Sequence, residues 1–259
     1  MTTWMSRTSS SETTTAVPGA DGGALSQATG RPAELAANLA AVRQRIAAAC
    51  AASGRDAGEI TLVAITKTWP ASDVRLLSGL GVADVGENRD QEAAPKAARC
   101  ADLPLTWHFV GQLQTNKCAS VVRYAHVVES VDRARLARAL GSAARAAGRT
   151  VTCLIQVSLD GDLARGGAPP DQVAGLAAAL EAEPGLVPGG VMAVAPLGVA
   201  AAAAFSGLRD MSALVRSLRP AATAISAGMS GDLEEAIEAG ATHIRIGTAL
   251  LGARTPRVM

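Results

Sequence analysis

The sequence predicts a (β/α)8 TIM barrel in a single domain, and three observations carry that expectation. Short apolar runs of strand length alternate eight times with segments of helical period, at spacings of roughly thirty residues or less. The length of 259 residues suits one closed barrel. Lys67, Asn88, Gln112, Met192, Ser226 and Arg245 fall at or near the ends of the apolar runs, where such a barrel keeps its chemistry. An open doubly wound sheet is the competing arrangement, and eight units at this length favour closure.

Residues 1 to about 31 are rich in Ser, Thr and Gly and contain almost no large apolar residue. They bury too little surface to offset ordering entropy, so a disordered tail is expected, with the barrel over 32–259. From Ala33 the period is helical, with Leu35, Leu39, Val42 and Ile46 on one face and Gly54 as the stop. The run Ile60–Ile65 reads as the first strand, with Lys67 just past its end and Pro70 closing the extended segment. Ser72 is expected to cap a helix carrying Val74, Leu76, Leu77 and Leu80. Val82–Val85 is the second strand, ending in Gly86-Glu87-Asn88, and a polar helix follows to about Cys100. Trp107–Leu113 is the third, with Lys117 and Val121 on the helix behind it.

His126–Val131 is the fourth strand, after which Asp132 is expected to cap a helix bearing Leu136, Leu140 and Ala144. Val151–Val157 is the fifth, and Pro170-Asp171 open a helix with Val173, Leu176 and Leu180. Gly190–Val194 is the sixth, followed by a helix with Phe205, Leu208, Met211, Val215 and Leu218. Ala222–Ser226 is the seventh, Ser230 is expected to cap the helix Asp232–Ala239, and His243–Ile246 is the eighth.

Bulk composition excludes several function classes. A net charge of +1 and an aromatic content of 2% offer neither the field nor the stacking rings of a nucleic-acid binder. Cys50, Cys100, Cys118 and Cys153 form no C-x-x-C pair, which suggests reduced thiols in a cytoplasmic protein. The uncharged stretch 184–208 is broken by Pro188, Gly189, Gly190, Pro196 and Gly198, so no membrane anchor is expected. The three histidines are distant in sequence and no metal constellation is visible.

A lysine where a strand leaves the core is either a snorkelling surface residue or a nucleophile. Partial desolvation disfavours its ammonium and exposes an amine able to attack a carbonyl. After the seventh and eighth strands, Ser226, Ser230, Gly247 and Thr248 supply hydroxyls and closely approachable backbone N–H groups, the usual phosphate position in this barrel. Arg245 alternates with Ile244 and Ile246 and is expected to point into the barrel. There its guanidinium meets either a cofactor ring nitrogen or a neighbouring carboxylate. An imine-forming lysine, a phosphate cup and an inward arginine together describe a pyridoxal 5′-phosphate site.

These stretches also resemble a known family. K-T at 67–68, G-E-N at 86–88, W-H-F-V-G-Q-L-Q-T-N-K at 107–117, G-V-M at 190–192, S-A-G-M-S at 226–230 and R-I-G-T at 245–248 look like the YggS/PROSC family of pyridoxal-phosphate homeostasis proteins, over about residues 33 to 253. The resemblance implies a barrel of the alanine-racemase N-terminal type with the cofactor held as a Schiff base on Lys67. It also implies phosphate contacts around Ser226, Gly247 and Thr248, and Arg245 near the pyridine nitrogen; Asn88, Met192 and Ser230 complete the cofactor-binding set. Ala227 stands where the family commonly has methionine.

Whether the imine serves catalysis is a separate question. The chain ends seven residues after Gly252, so the second β-rich domain of the related racemases is not expected, and a monomer is the default. Tyr124 is assigned to packing on the helix between the third and fourth strands, and His108, flanked by two aromatics, to a structural role. An arginine cannot take a proton from a pyridinium, so Arg245 would weaken the ring as an electron sink. The expected function is a carrier that buffers pyridoxal phosphate and passes it to apo-enzymes. The alternatives are an amino-acid racemase or lyase using the same imine, and an aldolase using Lys67 without the cofactor.

Overall fold

The computed structural model describes residues 30–162, 165–196 and 198–253, and the expected tail lies outside them except for its last two positions. Eight parallel strands close in sequence order: β1 (Thr61–Ile65), β2 (Asp84–Glu87), β3 (Thr106–Phe109), β4 (Val127–Val131), β5 (Val151–Gln156), β6 (Leu186–Met192), β7 (Ala224–Ser226) and β8 (His243–Ile246). Closure is made by β1, which pairs Ala64 with Val85 of β2 on one side and with Ile246 of β8 on the other.

Helices α1 (Arg31–Ala52), α2 (Ala71–Gly79), α3 (Asp90–Arg99), α4 (Cys118–Val121), α5 (Ala134–Ala146), α6 (Val173–Glu181), α7 (Ala201–Leu218), α8 (Leu233–Glu238) and α9 (Thr248–Leu251) surround the sheet or cap its ends. The main core lies between strands and helices. Leu35, Leu39, Val42 and Ile46 of α1, Leu136 and Leu140 of α5, and Phe205 and Leu208 of α7 are all buried there. All four cysteines are buried and free. Among the described residues no helix is long and apolar enough to cross a membrane.

Several boundaries and all three caps differ from expectation. Arg31 belongs to the first helix rather than the tail, and its guanidinium pairs with Asp73 at 2.6 Å. Ser72 does not cap α2: Pro70 stands at the N-cap with its φ fixed at −72°, so the helix begins two residues earlier. Asp132 does not cap α5 either, because its carboxylate pairs with the Arg133 guanidinium and Arg133 takes the N-cap position. Ser230 turns away from α8 to accept from Ala249 N at 3.2 Å, tying the loop after β7 to α9.

The third strand ends at Phe109 rather than running to 113. A Cβ on Gly111 would lie 2.1 Å from Asn88 O, so the chain there leaves the ladder to back onto the neighbouring loop. The sixth strand starts four residues before Gly190 and accommodates Pro188 at a register shift, where Cys153 and Leu154 pair with Pro188 and Gly190 and Gly189 is skipped. The seventh begins at Ala224. Tyr124 lies in the turn after α4, where its ring meets Trp107 edge-on at 6.4 Å.

Candidate functional site

The pleat sorts β8 cleanly. His243 and Arg245 point inward and Ile244 and Ile246 outward, so the apolar pair goes to the helix layer and the guanidinium to the barrel interior. Arg245 Nη1 donates to Ser226 Oγ at 2.6 Å and Nη2 to Ala193 O at 2.8 Å. Ser226 Oγ in turn donates to Glu129 Oε2 at 2.7 Å, and that oxygen lies 3.7 Å from Arg245 Nη1. Of the two acceptors considered for Arg245, the neighbouring carboxylate is therefore present.

Glu129 also accepts from His108 Nδ1 at 2.7 Å, and His108 Nε2 meets Asp84 Oδ1 at 3.0 Å. Burial alone would lower the His108 pKa, but hydrogen bonds to Asp84 and Glu129 outweigh it and raise the pKa to about 9. Burial would raise that of Glu129. The His108 hydrogen bond and charge, then Arg245 and Ser226, bring it down to about 2 instead. Both ring nitrogens of His108 are thus committed to carboxylates.

Above this layer lie the strand ends. Lys67 is half-buried in the turn between β1 and α2, two residues beyond the last ladder position. Across the β1–β8 seam a Cβ on Gly247 would lie 3.6 Å from Ile65 Cβ, so the loop after β8 runs directly beside the strand that leads to Lys67. Thr248 is exposed at the start of α9, with Ser230 bonded to the next backbone N–H. Lys67, Ser230, Gly247 and Thr248 therefore share the C-terminal face of β1, β7 and β8. Met192 and Ser226 are register partners one layer lower and are buried. Ser226 spends its hydroxyl on the interior network. Asn88 is on another side, in the wall of a cavity of about 410 Å³ with Phe109, Gln112, Lys117 and Arg133.

Sequence reasoning missed four carboxylates. Glu129 stands out as the charged residue of the strand Val127–Val131, and that was a usable signal. Asp84 gives less, since it begins a strand. Glu87 and Glu92 become visible only with α3 in place: Lys96 reaches Glu87, and Glu92 accepts from Thr68 N at 3.2 Å. Glu87 is fully buried and its pKa is raised, because burial outweighs the Lys96 ammonium and the Thr66 hydroxyl.

A closed eight-stranded barrel with a lysine beyond its first strand and a glycine-threonine loop beyond its last belongs to the alanine racemase N-terminal domain class, whose family model matches residues 31–255. The pyridoxal phosphate homeostasis protein of Mycobacterium tuberculosis is 44% identical over 246 residues, covering 88% of this chain and 95% of that protein. The structure of PipY from Synechococcus elongatus with PLP bound superposes at a TM-score of 0.74 with 34% identity, covering 84% of this chain and 100% of that one. Alanine racemase of Corynebacterium glutamicum, 15% identical, shares the fold at a TM-score of 0.65 over 87% of this chain and 63% of its own. The chain belongs to the family of pyridoxal phosphate homeostasis proteins.

Proposed function

We propose that this protein holds pyridoxal 5′-phosphate reversibly as a Schiff base on Lys67, buffers the free aldehyde in the cytoplasm and, as a monomer, hands it to apo-enzymes that need it. The observation that carries this reading is the β1–β8 seam, which brings the Lys67 turn and the Gly247–Thr248 loop side by side. An amine, backbone N–H groups, the Ser230 hydroxyl and a guanidinium below them form a donor set that fits an aldehyde-bearing pyridine phosphate. When bound, the group would supply an aldehyde for the Lys67 amine to attack, with loss of water. Gly247 and Thr248 would hold the phosphate, and Asn88 and Met192, at the β2 and β6 ends, would approach the ring from other sides. Arg245 is the residue that would lie toward the ring nitrogen, and as a donor it would leave that nitrogen unprotonated.

The homeostasis proteins among the relatives support a carrier over a racemase. The test is an absorption spectrum of the purified protein with added pyridoxal phosphate, followed by borohydride reduction and peptide mapping. An adduct on Lys67 that is absent in Lys67→Ala is expected. An adduct on another lysine, or none, overturns the assignment. Turnover of amino acids at roughly 1 per second or more would move the protein to the racemase or lyase class.

A further inference from the structure

Two peptide groups flank Lys67, and both are held from outside the barrel by one helix. Lys96 Nζ donates to Thr66 O at 2.8 Å, and Glu92 Oε2 accepts from Thr68 N at 3.2 Å. Glu92 and Lys96 are four residues apart on α3, so a single helix face presents both groups. Lys96 is braced in turn by Glu87 Oε1, which also takes the Thr66 hydroxyl at 2.6 Å. Lys96 and Glu87 are buried, and Glu87 Oε2 has no hydrogen-bond partner among the described residues.

Two features are costly if stability alone is the purpose. A buried ion pair is commonly matched or bettered by apolar residues of the same volume. Thr68 has a φ of 71°, the one positive value outside glycine among the described residues, and such conformations persist only where the surroundings over-determine them.

We infer that Glu87, Glu92 and Lys96 are positioning residues that clamp the turn around Lys67 and hold its amine in the geometry for attack on an aldehyde. The inference rests on the assignment of Lys67 as the Schiff-base lysine. Fixing the backbone on both sides of a nucleophile removes the freedom it would otherwise lose on reaction, so the effect falls on the rate of imine formation. Phosphate binding is assigned to the β7 and β8 loops and is left alone.

The experiment compares wild type with Lys96→Met, which keeps length and apolar packing, and with the half-exposed Glu92→Ala. Two probes are used: pyridoxal phosphate, for the rate of imine formation at saturation, and pyridoxine phosphate, which lacks the aldehyde, for non-covalent affinity. Each variant is expected to form the imine on the order of tenfold more slowly, with pyridoxine phosphate affinity within about twofold of wild type. Glu92→Gln, which keeps an acceptor for the Thr68 N–H, is expected to keep the wild-type rate. Wild-type imine rates in both variants overturn the inference, and so does a parallel loss with both probes, which marks a merely structural role. Should Lys96→Met not fold, Glu92→Ala set against Glu92→Gln decides the matter. Absence of any Lys67 adduct in wild type removes the underlying assignment and this inference with it.

Discussion

Inside the barrel, Glu129 serves His108 at 2.7 Å and Ser226 at 2.7 Å while its carboxylate lies 3.7 Å from Arg245. Glu129→Gln keeps the shape and removes the one negative charge that His108, Ser226 and Arg245 share. Arg245 then stays cationic without its counter-ion, and breaking a buried pair in this one-sided way costs about 3–5 kcal/mol. Urea denaturation should show that loss; one below about 1 kcal/mol would mean that solvent or a rearranged partner compensates Arg245. The network is only half legible in the sequence. Period-two alternation turns Arg245 inward, and an acid inside an apolar strand marks Glu129. Their link runs through Ser226, 97 residues from Glu129, and no local pattern encodes a contact of that range.

Elements were legible in kind and less so at their edges. Apolar period locates all eight strands and the long helices because burial of a face dominates their energetics. Caps failed for a different reason: Ser72, Asp132 and Ser230 each had a competing partner or a neighbouring proline that local preference does not weigh. Glycines carry the remaining detail, and two of them separate by sign. A Cβ on Gly190, whose φ is 146°, would lie 1.9 Å from Ala224 O, between β6 and β7. Gly190→Ala must push those strands apart, with an expected loss of about 3 kcal/mol and a thermal midpoint lowered by roughly 6–12 °C. Gly207 in α7 has nothing within 4 Å of a Cβ, so Gly207→Ala should stabilise by about 0.5–1 kcal/mol. Thermal melts of the two variants moving in the same direction would refute the steric account.

At the scale of the whole molecule, the interior network makes folding depend on pH in a way that His108 reports. Its pKa rises from 6.5 unfolded to about 9 in the barrel, so its contribution is fully present below 6.5 and is lost as pH climbs through about 9. Glu129, lowered from 4.5 to about 2, contributes above 4.5 and loses that contribution as pH falls toward 2. His126 and His243 act oppositely to His108. Burial lowers both, so each favours the unfolded chain as pH drops below 6.5. The barrel is thus squeezed from both sides of 6.5, and a wild-type profile alone mixes the three histidines. The difference between wild type and His108→Gln removes the His108 contribution together with the effect of its charge on His126 and His243. That difference should be largest near pH 6 and shrink by about 3 kcal/mol by pH 10, read from urea midpoints at matched ionic strength. The Glu129–Arg245 contact survives in the variant and cancels from the comparison. A difference that stays flat across this range would mean that His108 is neutral in the folded barrel.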